Sequence, residues 1–141
     1  MFWDGSALIP YLAPEAESGV VASLLKGDRT LVIWWVSPVE CVSALERRRR
    51  EEKIEKAQYD EARRRLEALC RAAFVVQPHP QVRSRAERLL ALHSLRAGDA
   101  LQLAAALVAS DERPQAETFV SLDGRLRDAA HREGFKVIPE E

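Results

Sequence analysis

Short apolar runs alternate with helix-length segments along almost the whole chain, and that alternation restricts it to a mostly parallel sheet with helices on both faces. The decisive run is Thr30 to Val36, Thr-Leu-Val-Ile-Trp-Trp-Val. It has no polar alternation, so it suits a central strand covered on both sides. Met1 to Trp3, Phe74 to Val76, Thr118 to Ser121 and Lys136 to Ile138 read as shorter strands, giving an α/β sheet of four to five strands.

The segments between the strands carry helix signals. Asp4-Gly5-Ser6 opens a helix through Leu12 that Pro10 keeps short or kinks. A second helix runs from about Glu15 to Lys26 and ends at Gly27. After Pro38 neither proline nor glycine occurs up to Ala72, and one helix of that length would span roughly 50 Å. That is too long for this chain, so the spacing predicts two helices with a break near Lys53 to Glu55. Gln81 to His93 is a further helix. Ala100 to Ala109 is apolar nearly all round, as a buried helix should be. Gly124 to Arg132 is closed by Gly134. With 141 residues, no repeat and no Gly/Ser linker, residues 1–141 read as a single domain.

Several function classes drop out. Cys41 and Cys70 stand far apart with no histidine at zinc spacing, so they read as buried, reduced thiols. No apolar run reaches membrane length and the start lacks a secretory signal, so a cytoplasmic location is expected. The chain has no glycine-rich phosphate cradle and no G-x-S-x-G elbow. Asp4-Gly5-Ser6 is not the Asp-x-Asp of a dehalogenase-like phosphatase, and a receiver domain would want paired early acids. His79, His93 and His131 lack paired spacing and read as surface or loop residues.

Four acids remain. Ser37-Pro38-Val39-Glu40 fits a capping box, and Asp4, Asp99 and Asp123 stand at or near helix starts, where a carboxylate satisfies free amides. Each acid alone reads as a cap. Together they follow strands or open helices at the end of a parallel sheet where ligands bind. Carboxylates converging there would raise one another's pKa unless a cation neutralised them, and oxygen-only ligands select magnesium or manganese. The residues leave both readings open.

Asp4-Gly5-Ser6-Ala7-Leu8, the Glu40 helix, the stretch His93-Ser94-Leu95-Arg96-Ala97-Gly98-Asp99-Ala100-Leu101-Gln102-Leu103-Ala104 and Phe119-Val120-Ser121-Leu122-Asp123 resemble PIN-domain toxin ribonucleases of the VapC family. The most specific piece is Arg96 to Ala104, and the closing Gly134 to Ile138 supports it. The resemblance implies a three-layer α/β/α PIN-like fold. It implies Mg2+ or Mn2+ dependence with Asp4, Glu40, Asp99 and Asp123 as catalytic and metal-binding acids, and Ser6 and Ser121 in support. It also implies RNA cleavage, a small cognate antitoxin and a homodimer. Alternatives are a PIN-like nuclease of RNA processing or of DNA without an antitoxin, which gene neighbourhood separates, and a catalytically silent binding module, which would lack metal dependence.

The net charge of −1 gives no global case for nucleic acid, so any footprint is local. Arginines outnumber lysines 17 to four. Arg47 to Arg50, Arg63 to Arg65, Arg83, Arg85, Arg88 and Arg96 are candidates for phosphate contact, Arg96 nearest the acids. Glu46 with Arg50, Arg47 with Glu51 and Glu52 with Lys56 have i,i+4 spacing, so a self-paired solvated face is the competing reading. Trp3, Trp34 and Trp35 read as core, and Tyr11 and Tyr59 as candidates to face a partner. Val42, Leu45, Ala62, Leu66 and Leu69 form a stripe that packs on the domain or makes a groove for an antitoxin helix.

Overall fold

In a computed structural model that describes residues 1–15 and 18–140, the short apolar runs become β1 (Phe2–Trp3), β2 (Val32–Trp34), β3 (Phe74–Val76), β4 (Thr118–Val120) and β5 (Lys136–Ile138). They form one sheet in the order β3-β2-β1-β4-β5, with every neighbouring pair parallel. Successive strand residues point to opposite faces. Phe2, Trp34, Val76 and Phe119 therefore enter one core, and Trp3, Ile33 and Val120 the other.

Helices α1 (Gly5–Leu12), α2 (Gly19–Gly27), α3 (Ser37–Arg50) and α4 (Lys56–Ala72) supply apolar residues to the Trp3 side. Helices α5 (Pro80–Leu92), α6 (Ala97–Ala109) and α7 (Gly124–Glu133) supply the Phe2 side. The result is the three-layer α/β/α architecture. Phe119 anchors its layer, stacking on Phe2 with ring centroids 5.4 Å apart and tilting against Phe135 at 5.5 Å. Pro10 leaves α1 only 8 residues long. The expected start of the second helix lies partly outside the described residues, and its described part begins at Gly19.

The anticipated break after α3 is a Schellman turn. Lys53 N–H reaches the carbonyl of Arg48, Glu52 N–H reaches Arg49, and Glu52 takes the left-handed conformation with φ 55°. Arg47 to Arg50 occupy the last turn of α3, where cations complement the dipole. The three expected i,i+4 ion pairs are absent among the described residues. Glu51 and Glu52 lie beyond the helix end, and Glu46 turns inward to accept from the Tyr59 hydroxyl.

Other side chains also depart from expectation. Trp35 lies past the end of β2 and is 53% exposed, whereas Trp3 and Trp34 are buried. Tyr59 is buried beneath Arg49, so it does not face a partner. His93 does lie in the loop after α5, but its ring is largely buried, 2.7 Å from Glu133. Cys41 is buried, but Cys70 is only half-buried. The apolar stripe divides its roles. Leu45, Ala62, Leu66 and Leu69 belong to the core, while Val42 and Leu66 also line a groove between α3 and α4 beside the exposed Val39.

Strand order fixes where a site can form. From β1 the chain steps outward to β2 and β3, then returns to the opposite side of β1 with β4 and β5. The order reverses between β1 and β4, which leaves a crevice at their carboxyl ends.

Candidate active site

Asp4 stands immediately after β1 at that crevice. Its backbone N–H bonds the Val120 carbonyl at 3.0 Å, continuing the sheet, and it stays extended with ψ 152° before the chain enters α1 at Gly5. Asp4 stands at the N-cap position of α1 without a side-chain cap hydrogen bond, and the Ser6 backbone amide is the least of the influences on its charge, so capping does not account for the carboxylate. It is 3% exposed, and Oδ2 accepts from the hydroxyls of Ser6 and, at 2.7 Å, Ser121. Ser6 Oγ accepts from Leu122 N–H at 2.9 Å, and Ser121 Oγ from Asp123 N–H at 3.1 Å. The two serines thus tie β1's end to the loop after β4. Arg127 fastens the same loop, donating to the carbonyls of Ser121 at 2.7 Å and Pro139 at 2.6 Å.

Glu40 projects from the first turn of α3. The expected capping box is not formed: Ser37 is the first residue of α3 and makes no cap bond. Tertiary contacts win over the local motif because buried Gln102 needs both side chains. Its Nε2 donates to Glu40 Oε2 at 3.0 Å and to Ser37 Oγ at 3.0 Å. Asp99 lies in the first turn of α6. Asp123 does cap, its Oδ1 accepting from Leu126 N–H at 2.9 Å, so for this acid the structural explanation holds.

Electrostatics link the four. Burial pushes the Asp4 carboxyl above its ordinary range and the Asp99 charge adds to it, against the hydrogen bonds from the two serines. Burial likewise raises Glu40 to about 7, opposed by the Gln102 hydrogen bond and reinforced by Asp4 and Asp99. Asp99 is raised by desolvation and by the Asp123 charge, while Arg96 and Arg125 pull it down. The carboxylates therefore feel one another in sequence across the crevice. Among the described residues, no three acidic, imidazole or thiol groups are drawn close enough together to grip an ion.

Residues 1–132 match the PIN domain. The chain belongs to the PIN-domain family. It is 27% identical over 139 residues to Ribonuclease VapC45 of Mycobacterium tuberculosis strain CDC 1551 / Oshkosh, covering 99% of this chain and 94% of that protein. Ribonuclease VapC49 of Mycobacterium tuberculosis strain ATCC 25618 / H37Rv matches with the same identity and coverage.

Sequence reasoning placed Asp4, Glu40, Asp99, Asp123, Ser6 and Ser121 around this PIN-domain crevice but missed Gln102 and the role of Ser37. The available signal was a lone amide in a helix otherwise apolar nearly all round. Burying such a group without partners costs about 1–3 kcal/mol, so a partner had to be near.

Proposed function

We propose that this PIN-domain protein is a divalent-metal-dependent endoribonuclease that hydrolyses RNA phosphodiester bonds as the toxin of a type II toxin–antitoxin pair. The observation that carries the reading is Asp4: a carboxylate held almost out of solvent at the sheet's switch point, aimed by two hydroxyls, with no cationic side chain bonded to it among the described residues. The names of the two relatives support ribonuclease chemistry and the VapC type.

In chemistry, though not in the spacing seen among the described residues, the donor set suits a hard cation, because Asp4, Glu40, Asp99 and Asp123 offer only oxygen and three of them resist carrying their charge uncompensated. Mg2+ or Mn2+ would supply an activated water and stabilise charge on the leaving oxygen. Asp4, oriented by Ser6 and Ser121, would be the most fixed of the residues holding the cation. Glu40 is held by Gln102, and Asp99 is presented by the start of α6. Asp123 spends Oδ1 on Leu126 N–H, and Oδ2 has no hydrogen-bond partner among the described residues. Arg127 holds the Ser121 loop in register.

A cytoplasmic homodimer bound by a small antitoxin completes the proposal. No described helix is long and apolar enough to cross a membrane. The test is cleavage of a mixed RNA set by purified protein with Mg2+, Mn2+ or chelator, beside Asp99→Asn. Metal-dependent cutting lost in the variant supports the proposal. Metal-independent cutting, or equal cutting by both proteins, removes it, and metal-insensitive RNA binding without cutting favours a silent module. Co-purification with the product of an adjacent small gene tests the antitoxin.

A further inference from the structure

Gln102 is fully buried among the alanines and leucines of α6, yet its amide is turned toward the acids. Its NH2 end faces Glu40, donating to Oε2 at 3.0 Å, the orientation that suits a carboxylate able only to accept. Ser37, also fully buried, sits against the same amide, with its Oγ 3.0 Å from Nε2 and 3.3 Å from Oε1. Gly5 approaches the same oxygen, so a Cβ there would lie 3.0 Å from Glu40 Oε2 and 3.8 Å from Gln102 Nε2. Oε2 of Glu40 is thus enclosed by an amide and by backbone that carries no side chain. Its other oxygen, Oε1, has no hydrogen-bond partner among the described residues and lies near Gly98, beside Asp99.

We propose that Gln102 is a positioning residue that, braced by Ser37, occupies Oε2 of Glu40 and presents Oε1 toward Asp99 as the ligand atom for a divalent cation. The proposal rests on the metal-dependent reading above, but its geometric half can be judged without metal. Partners that orient a metal ligand in this way change affinity by about 10–100-fold when removed.

The experiment pairs metal-free crystal structures with calorimetric Mn2+ titration for wild type and Gln102→Leu, a variant that suits its apolar neighbours. The expected result is a Glu40 carboxylate displaced from its wild-type place and a Mn2+ Kd weakened about tenfold or more, in a protein that still folds but melts somewhat lower because the buried Ser37 hydroxyl loses its partner. An unmoved Glu40, or a moved Glu40 with unchanged Mn2+ affinity, overturns the proposal. Should Gln102→Leu not fold, Gln102→Met keeps the length, lacks the donor and is read by the same criteria. A wild type that binds no Mn2+ sinks the metal-dependent function instead, and Gln102's role then stands or falls on the Glu40 displacement alone.

Discussion

Gly5 and Gly98 flank the same carboxylate at different distances, which makes them a paired probe of the site. A methyl at Gly5 meets Glu40 Oε2 at 3.0 Å, so the carboxylate or the Gln102 amide must give way, whereas one at Gly98 meets Oε1 at 3.7 Å, an ordinary contact. Misplacement of a reacting group by about 1 Å can cost ~100-fold in rate. Gly5→Ala is therefore expected to lose most RNA cleavage with little change in melting temperature, and Gly98→Ala to cleave nearly as wild type. Indistinguishable rates for the two would remove the close approach at Gly5 from the mechanism. Glu40 gives a second test. Burial, with the charges of Asp4 and Asp99, raises it from 4.5 to about 7. A carboxyl raised in the fold lends stability that is complete below its unfolded pKa and lost as pH rises through the folded one. Metal-free protein should thus melt lower at pH 8 than at pH 5, and Glu40→Gln should flatten the slope. With solvent screening the partly exposed group, the effect is about 1 kcal/mol, or roughly 3 °C. A melting temperature that rises over this interval would contradict the assignment. The acids were legible because carboxylates at strand ends stand out in a sequence. Gln102 was not, because its meaning depends on Glu40, 62 residues away.

At the scale of elements, helix lengths and most stops were legible, while the local caps misled. Ser37-x-x-Glu40 has the pattern of a capping box, but a buried amide from α6 takes both side chains, and tertiary satisfaction outweighs a local motif. The box that does form joins Glu55 and Gln58 at the start of α4. Glutamate is not a favoured cap residue, so nothing marked it. The break between α3 and α4 was placed correctly from length alone. Its geometry was hidden because Glu52, not glycine, fills the left-handed position. A side chain there costs about 1 kcal/mol relative to glycine. Glu52→Gly is therefore expected to raise the melting temperature by roughly 2–4 °C without altering RNA cleavage, and a fall would show that Glu52 makes a compensating contact. Asp111 holds the equivalent place after α6 with φ 54°.

For the whole molecule, strand alternation determined the parallel sheet, and the reversal of strand order between β1 and β4 determined where chemistry could gather. The near-zero net charge conceals how the arginines are distributed. Arg96 occupies the N-cap position of α6 without capping it and Arg125 lies in the first turn of α7, both exposed and both felt by Asp99. Neither is in an ion pair among the described residues. A cation at a helix N-terminus opposes the dipole by about 0.3–1 kcal/mol, so these two positions are poor for stability. They are well placed for a phosphodiester backbone crossing the acidic crevice, where the substrate's charge must be offset outside the carboxylates. The two roles predict opposite signs. In an Asp99→Asn background that leaves RNA uncut, Arg96→Gln and Arg125→Gln should each melt slightly higher while binding single-stranded RNA more weakly. Each should also reduce the log–log salt slope of binding by about 0.7. Fluorescence anisotropy over a salt series reads the slope and thermal melting reads the stability. An unchanged slope with raised stability would place the RNA path elsewhere, leaving Arg83 and the Arg47 to Arg50 turn as the next surfaces to substitute.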